Sequence, residues 1–331
     1  MQKEALFYTK LEDSKVKCEL CPVGCIIAPG KKGVCIGRKN VDGKLVAINY
    51  GQVVSVAVDP IEKKPLYHFY PGSDILSIGP NGCNLRCKNC QNWAISQQEM
   101  HTDFFSPEDM VNVALKNNSI GIAYTYTEPL IWYEYVLDTG NLVREKGMMN
   151  VLVTNGYINP EPLEKLFPLI DAMNIDLKSM EDDFYGEVCK GKVSPVLKTI
   201  ETVFNGGCHV EITNLVLPGL NDSEEQIIKL VDWVAKLSDK IPLHFSRYFP
   251  DYQMNTPPTP ITTLSKAYKI GKEKLKYVYV GNASIYGASD TYCPSCGNTL
   301  IRRERYNTGT VGIADKRCKK CGSAVDIIMQ N

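Results

Sequence analysis

Three cysteines stand close together in residues 82–93, which read GCNLRCKNCQNW. Cys83, Cys87 and Cys90 have the spacing C-x3-C-x2-C, and thiolates are soft ligands suited to zinc or to iron–sulfur clusters. A structural zinc site or a fully ligated [4Fe–4S] cluster takes four protein ligands, yet the next cysteine is Cys189. The spacing therefore indicates a cubane cluster whose fourth iron is open to a small molecule. We call residues 82–93 the Cys83 loop.

Two alternatives stay open for this loop. Zinc could be completed by a distant ligand such as His101, or a cluster could be closed by Cys189 or Cys208. Structural zinc usually takes paired C-x2–4-C knuckles, so the open cluster is the favoured interpretation.

Two further groups of four cysteines lie nearer the ends of the chain. The C-terminal cysteine group has two C-x2-C pairs, each followed by glycine, which predicts a zinc ribbon or a rubredoxin-like iron site, with zinc favoured. The N-terminal cysteine group predicts a second closed site, for which zinc and an auxiliary [4Fe–4S] cluster both remain open. The C-terminal group is Cys293, Cys296, Cys318 and Cys321, and the N-terminal group is Cys18, Cys21, Cys25 and Cys35.

Short apolar strands alternate with amphipathic helices in the middle of the chain. Repeated β-α units imply a parallel sheet with right-handed crossovers, and six or seven such units favour an incomplete (β/α) barrel. An open doubly wound sheet is the alternative, but the sequence lacks the G-x-G-x-x-G turn of its dinucleotide-binding version. Strands are predicted at 75–80, 121–126, 149–156, 173–178, 210–219, 243–249 and 276–282, and helices at 106–117, 129–146, 160–170, 194–207 and 223–237.

The chain divides into three parts on this reading. Residues 1–74 form an N-terminal four-cysteine module with short strands, residues 75–285 form the α/β barrel, and residues 286–331 form a small C-terminal zinc-ribbon or rubredoxin-like module. The Cys83 loop follows the first barrel strand. Active sites of (β/α) barrels are built at that carboxyl end, and other polar residues fall at equivalent strand ends.

Composition narrows the class of protein. Acidic and basic residues number 37 each, so no overall field attracts nucleic acid or an anionic membrane, and neither is expected as a partner. The first residues have no apolar signal segment, and no run approaches ~18 apolar residues. We therefore expect a soluble, cytoplasmic protein, in which reduced cysteines serve as metal ligands rather than disulfides.

The C-x3-C-x2-C motif after a first barrel strand resembles the signature of radical S-adenosylmethionine (radical SAM) enzymes. Other stretches resemble the pyruvate formate-lyase activating enzyme branch, and within it the radical SAM enzyme of the AmmeMemoRadiSam system. The resemblance covers roughly residues 15–285 in order. The stretches are CELCPVGC, DPIEKKPLYHFYPG, GCNLRCKNCQNW, YTYTEP, VTNGY, NIDLKSM, HFSRYFPDYQM and YVYVGN.

This resemblance implies a reaction. The open iron would bind S-adenosylmethionine, whose reductive cleavage gives a 5′-deoxyadenosyl radical that abstracts hydrogen from an unidentified substrate. A ferredoxin or flavodoxin would supply the electron. One alternative is an activase that places a radical on a glycine of a partner protein. A second is an iron–sulfur or zinc protein for electron transfer or scaffolding, without catalysis.

The resemblance also implies roles for residues outside the cysteine groups. Glu128 would accept a hydrogen bond from the methionyl ammonium, and the D-x-K stretch at Asp176 and Lys178 would lie beside the methionyl group and substrate, although a solvated ion pair is the plainer alternative. Two departures stand out: Asn89 replaces a common aromatic residue, and Tyr126-Thr127 replaces a Gly-Gly pair. The remaining cosubstrate contacts are predicted at Tyr126, Thr154, Asn155 and Asn282.

Overall fold

Short antiparallel strands fill the first part of the chain in this computed structural model, which describes residues 3–329. The strands are β1 (Lys3–Glu4), β2 (Tyr8–Lys10), β3 (Val16–Cys18), β4 (Ile26–Ile27), β5 (Arg38–Val41), β6 (Lys44–Ala47) and β7 (Gln52–Pro60). Strands β1, β6 and β5 form one small sheet, and β2, β3 and β4 form another. Turns between them bring the N-terminal cysteine group to one place.

A nine-stranded sheet forms the centre of the fold. Besides β7 it contains β8 (Asp74–Pro80), β9 (Asp103–Phe104), β10 (Gly121–Tyr124), β11 (Met149–Thr154), β12 (Ala172–Asp176), β13 (His209–Val216), β14 (Leu243–Arg247) and β15 (Val278–Gly281). The order is β15-β14-β13-β12-β11-β10-β8-β7-β9, and β8 with β10 to β15 are parallel.

This strand order distinguishes the two sheet architectures. Each parallel strand pairs with the next parallel strand in sequence, so the order never reverses as it does in a doubly wound sheet. Among the described residues β15 and β9 end the sheet without pairing with each other, which gives the incomplete barrel that the sequence predicts. Strand β7 pairs antiparallel with β8, with Val58 opposite Leu76. The central sheet thus extends into residues assigned above to the N-terminal module, and the three-part division remains a prediction.

Eight helices connect or flank the strands of the described chain: α1 (Trp93–Gln97), α2 (Pro107–Lys116), α3 (Tyr133–Glu145), α4 (Pro160–Leu166), α5 (Asp182–Phe184), α6 (Val193–Asn205), α7 (Glu224–Leu237) and α8 (Ile261–Lys274). Two begin with capping boxes, in which Ser106 and Asp109, and Ser223 and Gln226, exchange side-chain and backbone hydrogen bonds. No helix within residues 3–329 is long and apolar enough to cross a membrane.

The helices differ from the predicted pattern at the start of α3 and in three helices, α1, α5 and α8, that the sequence did not predict. The predicted helix at 129–146 begins as a 3-10 turn, Pro129–Trp132, because the Glu128 side chain accepts from Leu130 N and holds the entry. Helix α8 was not predicted at all: it has no Ser, Thr, Asp or Asn cap, since Pro260 precedes it.

The C-terminal module contains β16 (Thr291–Tyr292), β17 (Thr299–Glu304), β18 (Asn307–Thr310), β19 (Ile313–Ala314) and β20 (Arg317–Cys318). It docks on the amino-terminal end of the barrel, where a parallel bridge joins Phe69 to Ile328. Buried apolar residues form its own small core, which includes Cys293, Leu300, Ile301 and Cys318.

A buried polar network stabilises the barrel beside this module. The Glu211 carboxylate accepts from His68 N at 2.7 Å and contacts His209 Nε2 at 3.1 Å and His244 Nε2 at 2.6 Å. Burial raises the pKa of Glu211, but hydrogen bonds from the two imidazoles outweigh this and hold it well below its usual range. Glu211 is on the first half of β13, so this network lies away from the carboxyl ends of the strands.

Candidate active site

A cavity of about 480 Å³ opens at the carboxyl ends of strands β8 and β10 to β13. This is the end of the sheet at which (β/α) barrels build active sites. All but one of the residues predicted to hold the cluster on the Cys83 loop, the cosubstrate and the substrate line it: Cys83, Cys87, Cys90, Tyr126, Glu128, Thr154, Asn155, Asp176 and Lys178. Residues separated by almost a hundred positions in sequence therefore share one space.

The Cys83 loop is fixed by backbone contacts with a distant segment. Arg86 N donates to Cys189 O at 2.9 Å, and Lys88 N donates to Val188 O at 3.0 Å. Within the loop, Leu85 N donates to the Cys83 sulfur at 3.4 Å, a contact suited to a thiolate ligand. Burial raises the pKa of the Cys83 thiol well above its usual value. A buried thiol of this kind becomes a thiolate when a metal binds it.

Two of the alternatives for a fourth ligand lie outside this cavity. His101 is 91% exposed and contacts Asp103 at 3.6 Å. Cys208 precedes β13, and its sulfur donates to His209 O at 3.6 Å, at the opposite end of that strand. Neither residue lines the cavity.

Cys189 is the third alternative, and the structure brings it close to the loop. It is fully buried beside Cys87, and a hydrogen bond with the Cys189 thiol is the main reason that the pKa of Cys87 falls to about 7. Cys189 does not line the cavity that contains Glu128. Its thiol therefore adjoins Cys87 but lies outside the cavity.

Glu128 is a buried carboxylate at the start of the 3-10 turn after β10. It is 1% exposed, and its oxygens accept from Leu130 N at 3.0 Å, Thr154 Oγ1 at 2.7 Å and Asn155 N at 2.8 Å. Burial raises its pKa to about 7, although these three hydrogen bonds oppose the shift. A cation is the natural partner for such a carboxylate, because it compensates the cost of burying the charge.

The turn after β11 links Glu128 to the Cys83 loop. Asn155 Nδ2 donates to Asn84 Oδ1 at 2.9 Å and lies 3.6 Å from the Cys83 sulfur. Asn84 in turn donates to Tyr157 O at 2.7 Å. These contacts hold the loop against β11 and direct one amide N–H toward the Cys83 sulfur.

Asp176 and Lys178 follow β12 and form an ion pair at 2.8 Å. The Lys178 side chain is 20% exposed and the Asp176 side chain 38%, so the pair is partly buried in the cavity wall and is not a freely solvated pair. Burial lowers the pKa of Lys178, but the charges of Asp176 and the neighbouring thiols outweigh this and raise it well above its usual value.

Tyr126 adopts φ +68°, a backbone conformation that favours glycine, at the position where a Gly-Gly pair is replaced. Its hydroxyl donates to Asp59 Oδ2 at 2.7 Å. Asp59 also pairs with Lys64 at 2.7 Å and Lys63 at 2.8 Å, and both lysines line the cavity. The DPIEKKP stretch belongs to the family resemblance, but no site residue is predicted in it. The adjacent acid and two lysines were the signal that could have identified it.

Asn282 is the predicted site residue that the structure does not bring to this cavity. It follows β15, is exposed, and donates from Nδ2 to Ser246 Oγ at 3.0 Å. Its predicted role at the adenine remains an expectation.

Comparison with known proteins agrees with this geometry. Residues 77–231 match the family model described as the Radical SAM superfamily, and this span includes the Cys83 loop, Glu128, Asn155 and Asp176. The chain therefore contains a radical SAM domain. It is also 47% identical over 335 residues to Uncharacterized protein MJ0808 of Methanocaldococcus jannaschii, covering 99% of this chain and 100% of that protein.

Similarity to other radical SAM proteins is more distant. The chain is 27% identical over 168 residues to the pyruvate formate-lyase-activating enzyme of Clostridium pasteurianum, covering 47% of this chain and 67% of that enzyme, which supports the activating-enzyme-like branch. The crystal structure of Streptococcus suis SuiB bound to S-adenosylmethionine matches with a TM-score of 0.52 at 15% identity, over 69% of this chain and 53% of that one. This second match concerns the fold alone.

The C-terminal cysteine group lies outside the span matched to the radical SAM model. Its four sulfurs are all within 4.8 Å of one another, with Cys293 and Cys321 at 3.6 Å and Cys296 and Cys318 at 3.7 Å. A tetrahedral zinc site with Zn–S bonds of about 2.3 Å has sulfur–sulfur edges of about 3.8 Å. The group thus has the dimensions of a single-metal site, which a single iron would also fit.

Proposed function

We propose that this radical SAM protein reductively cleaves S-adenosylmethionine and abstracts hydrogen from a substrate bound in the same cavity. The observation that carries the proposal is that the three-cysteine loop and the buried carboxylate of Glu128 face one cavity at the carboxyl ends of the strands. Three thiolates leave one iron of a cubane open, and Glu128 supplies a negative group beside it.

Cys83, Cys87 and Cys90 would hold the [4Fe–4S] cluster. The burial of Cys83 and the backbone N–H of Leu85 at 3.4 Å from its sulfur suit a thiolate ligand. When bound, the reduced cluster and S-adenosylmethionine supply a 5′-deoxyadenosyl radical, while the chain binds, orients and shields the reactants.

Glu128 would bind the methionyl ammonium of S-adenosylmethionine. Its oxygens already accept from Thr154 Oγ1 and from the Leu130 and Asn155 backbone, so its orientation is fixed before the cosubstrate arrives. Preorganisation of this kind reduces the ordering cost of binding. Thr154 and Asn155 would complete this side of the site.

Asp176 and Lys178 would lie beside the methionyl group and the substrate, and Tyr126 would line the same pocket. Asn282, exposed at the end of β15, would contact the adenine. A low-potential ferredoxin or flavodoxin would provide electrons, and the cytoplasm, where thiols stay reduced, is the proposed location.

An activase is the second candidate function. Relatives named as activating enzymes match this chain over about half its length, among them the benzylsuccinate synthase activating enzyme of Thauera aromatica, with 25% identity over 188 residues. The substrate would then be a glycine residue of a partner protein. Addition of glycine-containing peptides from a candidate partner, followed by electron paramagnetic resonance (EPR) for a glycyl radical, tests this alternative directly.

Anaerobic reconstitution tests the main proposal. We expect the wild-type protein to produce 5′-deoxyadenosine from S-adenosylmethionine and dithionite, and Cys87→Ala to reduce the product to background. Cys208→Ala is the control, because Cys208 is a cysteine that lies outside the cavity.

Two outcomes would contradict the proposal. A fully iron-loaded wild-type protein that forms no 5′-deoxyadenosine would support a non-catalytic electron-transfer or scaffold role. Zinc in place of iron at the Cys83 loop would exclude radical chemistry there.

A further inference from the structure

The N-terminal cysteine group surrounds a cavity of its own. Cys18 ends β3, Cys21 and Cys25 flank the turn before β4, and Cys35 precedes β5. Cys18 N donates to Cys25 O at 2.8 Å, which closes the turn between them. The wall between the sulfurs is mostly aliphatic, with contributions from Leu20, Val23, Ile27 and Ile131.

The spacing of these sulfurs differs from that of the C-terminal group. Among residues 3–329, the C-terminal group is the one set of three or more potential ligands whose atoms all lie within 4.8 Å of one another. The N-terminal sulfurs are therefore not gathered into the compact set that a zinc tetrathiolate, with edges of about 3.8 Å, needs. A cubane cluster places each thiolate on a different iron, which requires this wider arrangement.

A buried cation adjoins the same cavity. Arg38 lines it and forms an ion pair with Glu134 at 2.7 Å, with both side chains 1% exposed. Arg38 Nε is buried and has no hydrogen-bond partner within the described chain. Four thiolates leave a metal centre with a net negative charge, and Arg38, whose own charge is paired with Glu134, offers it an N–H that remains to be satisfied.

This cavity is packed directly against the Cys83 loop. A Cβ added at Gly82 would lie 2.2 Å from Cys35 O, so the two backbones are in contact at that point. Arg86 donates from Nη1 to Cys83 O at 2.8 Å and from Nη2 to Val34 O, and thus bridges the two sites. Asn84, the residue after Cys83, lines the N-terminal cavity itself.

We infer that the N-terminal cysteine group holds a second [4Fe–4S] cluster, which passes electrons to the cluster on the Cys83 loop. A one-electron donor of the ferredoxin or flavodoxin class reduces the N-terminal cluster from 2+ to 1+. The N-terminal cluster returns to 2+ as the cluster on the loop goes from 2+ to 1+, with no bond or proton transferred. The metal assignment stands alone, whereas the electron transfer rests on the proposed radical function.

Metal and sulfide analysis of the anaerobically prepared full-length protein tests the metal assignment. We expect about eight irons and about eight sulfides per chain, with the C-terminal group holding one further metal. The reduced protein should show two EPR signals, of which S-adenosylmethionine changes one. About four irons together with an additional zinc would overturn the assignment, and this measurement needs no variant.

A double variant, Cys18→Ser with Cys21→Ser, locates the second cluster. It should lose about four irons and the signal that is insensitive to S-adenosylmethionine. Cys321→Ser is the matched control, since it alters a four-cysteine group but should leave both iron signals unchanged. If Cys321→Ser lost both EPR signals while the double variant kept both, the assignment would be contradicted.

A single-reduction experiment tests the electron transfer. The proteins are reduced with dithionite, freed of it by gel filtration, and mixed with S-adenosylmethionine. The wild type, with two stored electrons, should yield about twice the 5′-deoxyadenosine per chain of the double variant. If the two yields of 5′-deoxyadenosine were equal and EPR showed the N-terminal cluster still reduced, the electron transfer would be overturned. If protein that contains about eight irons formed no product, the proposed function and the electron transfer would both be refuted. The cluster assignment would remain intact.

Discussion

The side-chain amide of Asn155 lies 3.6 Å from the sulfur of Cys83. The same amide donates to Asn84 Oδ1 at 2.9 Å, and the Asn155 backbone N donates to Glu128 at 2.8 Å. One residue therefore contacts both the cysteine loop and the carboxylate proposed to bind the cosubstrate. Hydrogen bonds to cluster sulfurs are one of the means by which proteins set the reduction potential.

We expect Asn155→Ala to make the reduction potential of the cluster on the Cys83 loop more negative, because it removes an N–H that stabilises the more negative reduced state. Iron content should be retained, since all three thiolates remain. A redox titration followed by EPR measures the shift. Asn282→Ala is the control, because Asn282 is an exposed asparagine outside the cavity. An unchanged potential in Asn155→Ala would show that the amide does not act on the cluster.

Glu128→Gln should weaken binding of S-adenosylmethionine about tenfold to a hundredfold, the loss typical of a hydrogen bond to a charged group. Burial raises the pKa of Glu128 to about 7, and the ammonium requires the carboxylate form. Wild-type affinity should therefore rise as pH increases through 7, whereas the affinity of the variant should change little. Equilibrium binding at several pH values measures both effects, with exposed Glu161→Gln as the control. A pH-dependent affinity that persists in Glu128→Gln would assign the titration to another group.

Cys189→Ala should keep the iron content of the wild type, because Cys189 neighbours Cys87 but does not line the cavity. Loss of its thiol hydrogen bond should make the reduction potential more negative. Iron analysis and redox titration of this variant beside Cys87→Ala measure both quantities. If Cys189→Ala lost as much iron as Cys87→Ala, Cys189 would be a fourth ligand and the open-iron proposal would fail.

His68 makes folding stability depend on pH. It is fully buried and burial lowers its pKa from 6.5 to about 4. The unfolded chain thus binds more protons between these values, and the free energy of unfolding should fall by up to about 3 kcal/mol as pH drops from 6.5 to 4. Denaturation midpoints at several pH values should decline more steeply in the wild type than in His68→Gln. Parallel declines would locate the acid sensitivity elsewhere, in the metal centres or Glu211.

Gly82→Ala should destabilise the junction between the two cysteine sites. Gly82 has φ +109°, and a Cβ there would lie 2.2 Å from Cys35 O. Iron loading at both sites should fall, and the thermal midpoint should drop by several degrees. Gly219→Ala isolates the backbone effect, because Gly219 also has a positive φ of +75° but no atom within 4 Å of the added Cβ. Equal behaviour of the two variants would argue against close packing at Gly82.

Much of the fold and of the grouping of the cysteines could be predicted from sequence alone, through cysteine spacing and the β-α repeat. The C-x3-C-x2-C motif predicted the family, and the alternation of strands and helices predicted the incomplete barrel, because thiolate chemistry and backbone periodicity are local properties. Paired C-x2-C motifs likewise predicted a C-terminal cysteine group with the dimensions of a single-metal site. The family model and the strand order confirm the first two of these predictions.

Contacts between distant segments required the tertiary structure. Sequence spacing does not reveal that Asn155 reaches Cys83, that Cys189 packs beside Cys87, or that Cys35 contacts Gly82. The same limit applies to Asp59, which accepts a hydrogen bond from the distant Tyr126 hydroxyl. Such contacts depend on how loops from separate strands converge, and that convergence is set by the packing of the whole barrel rather than by any one segment.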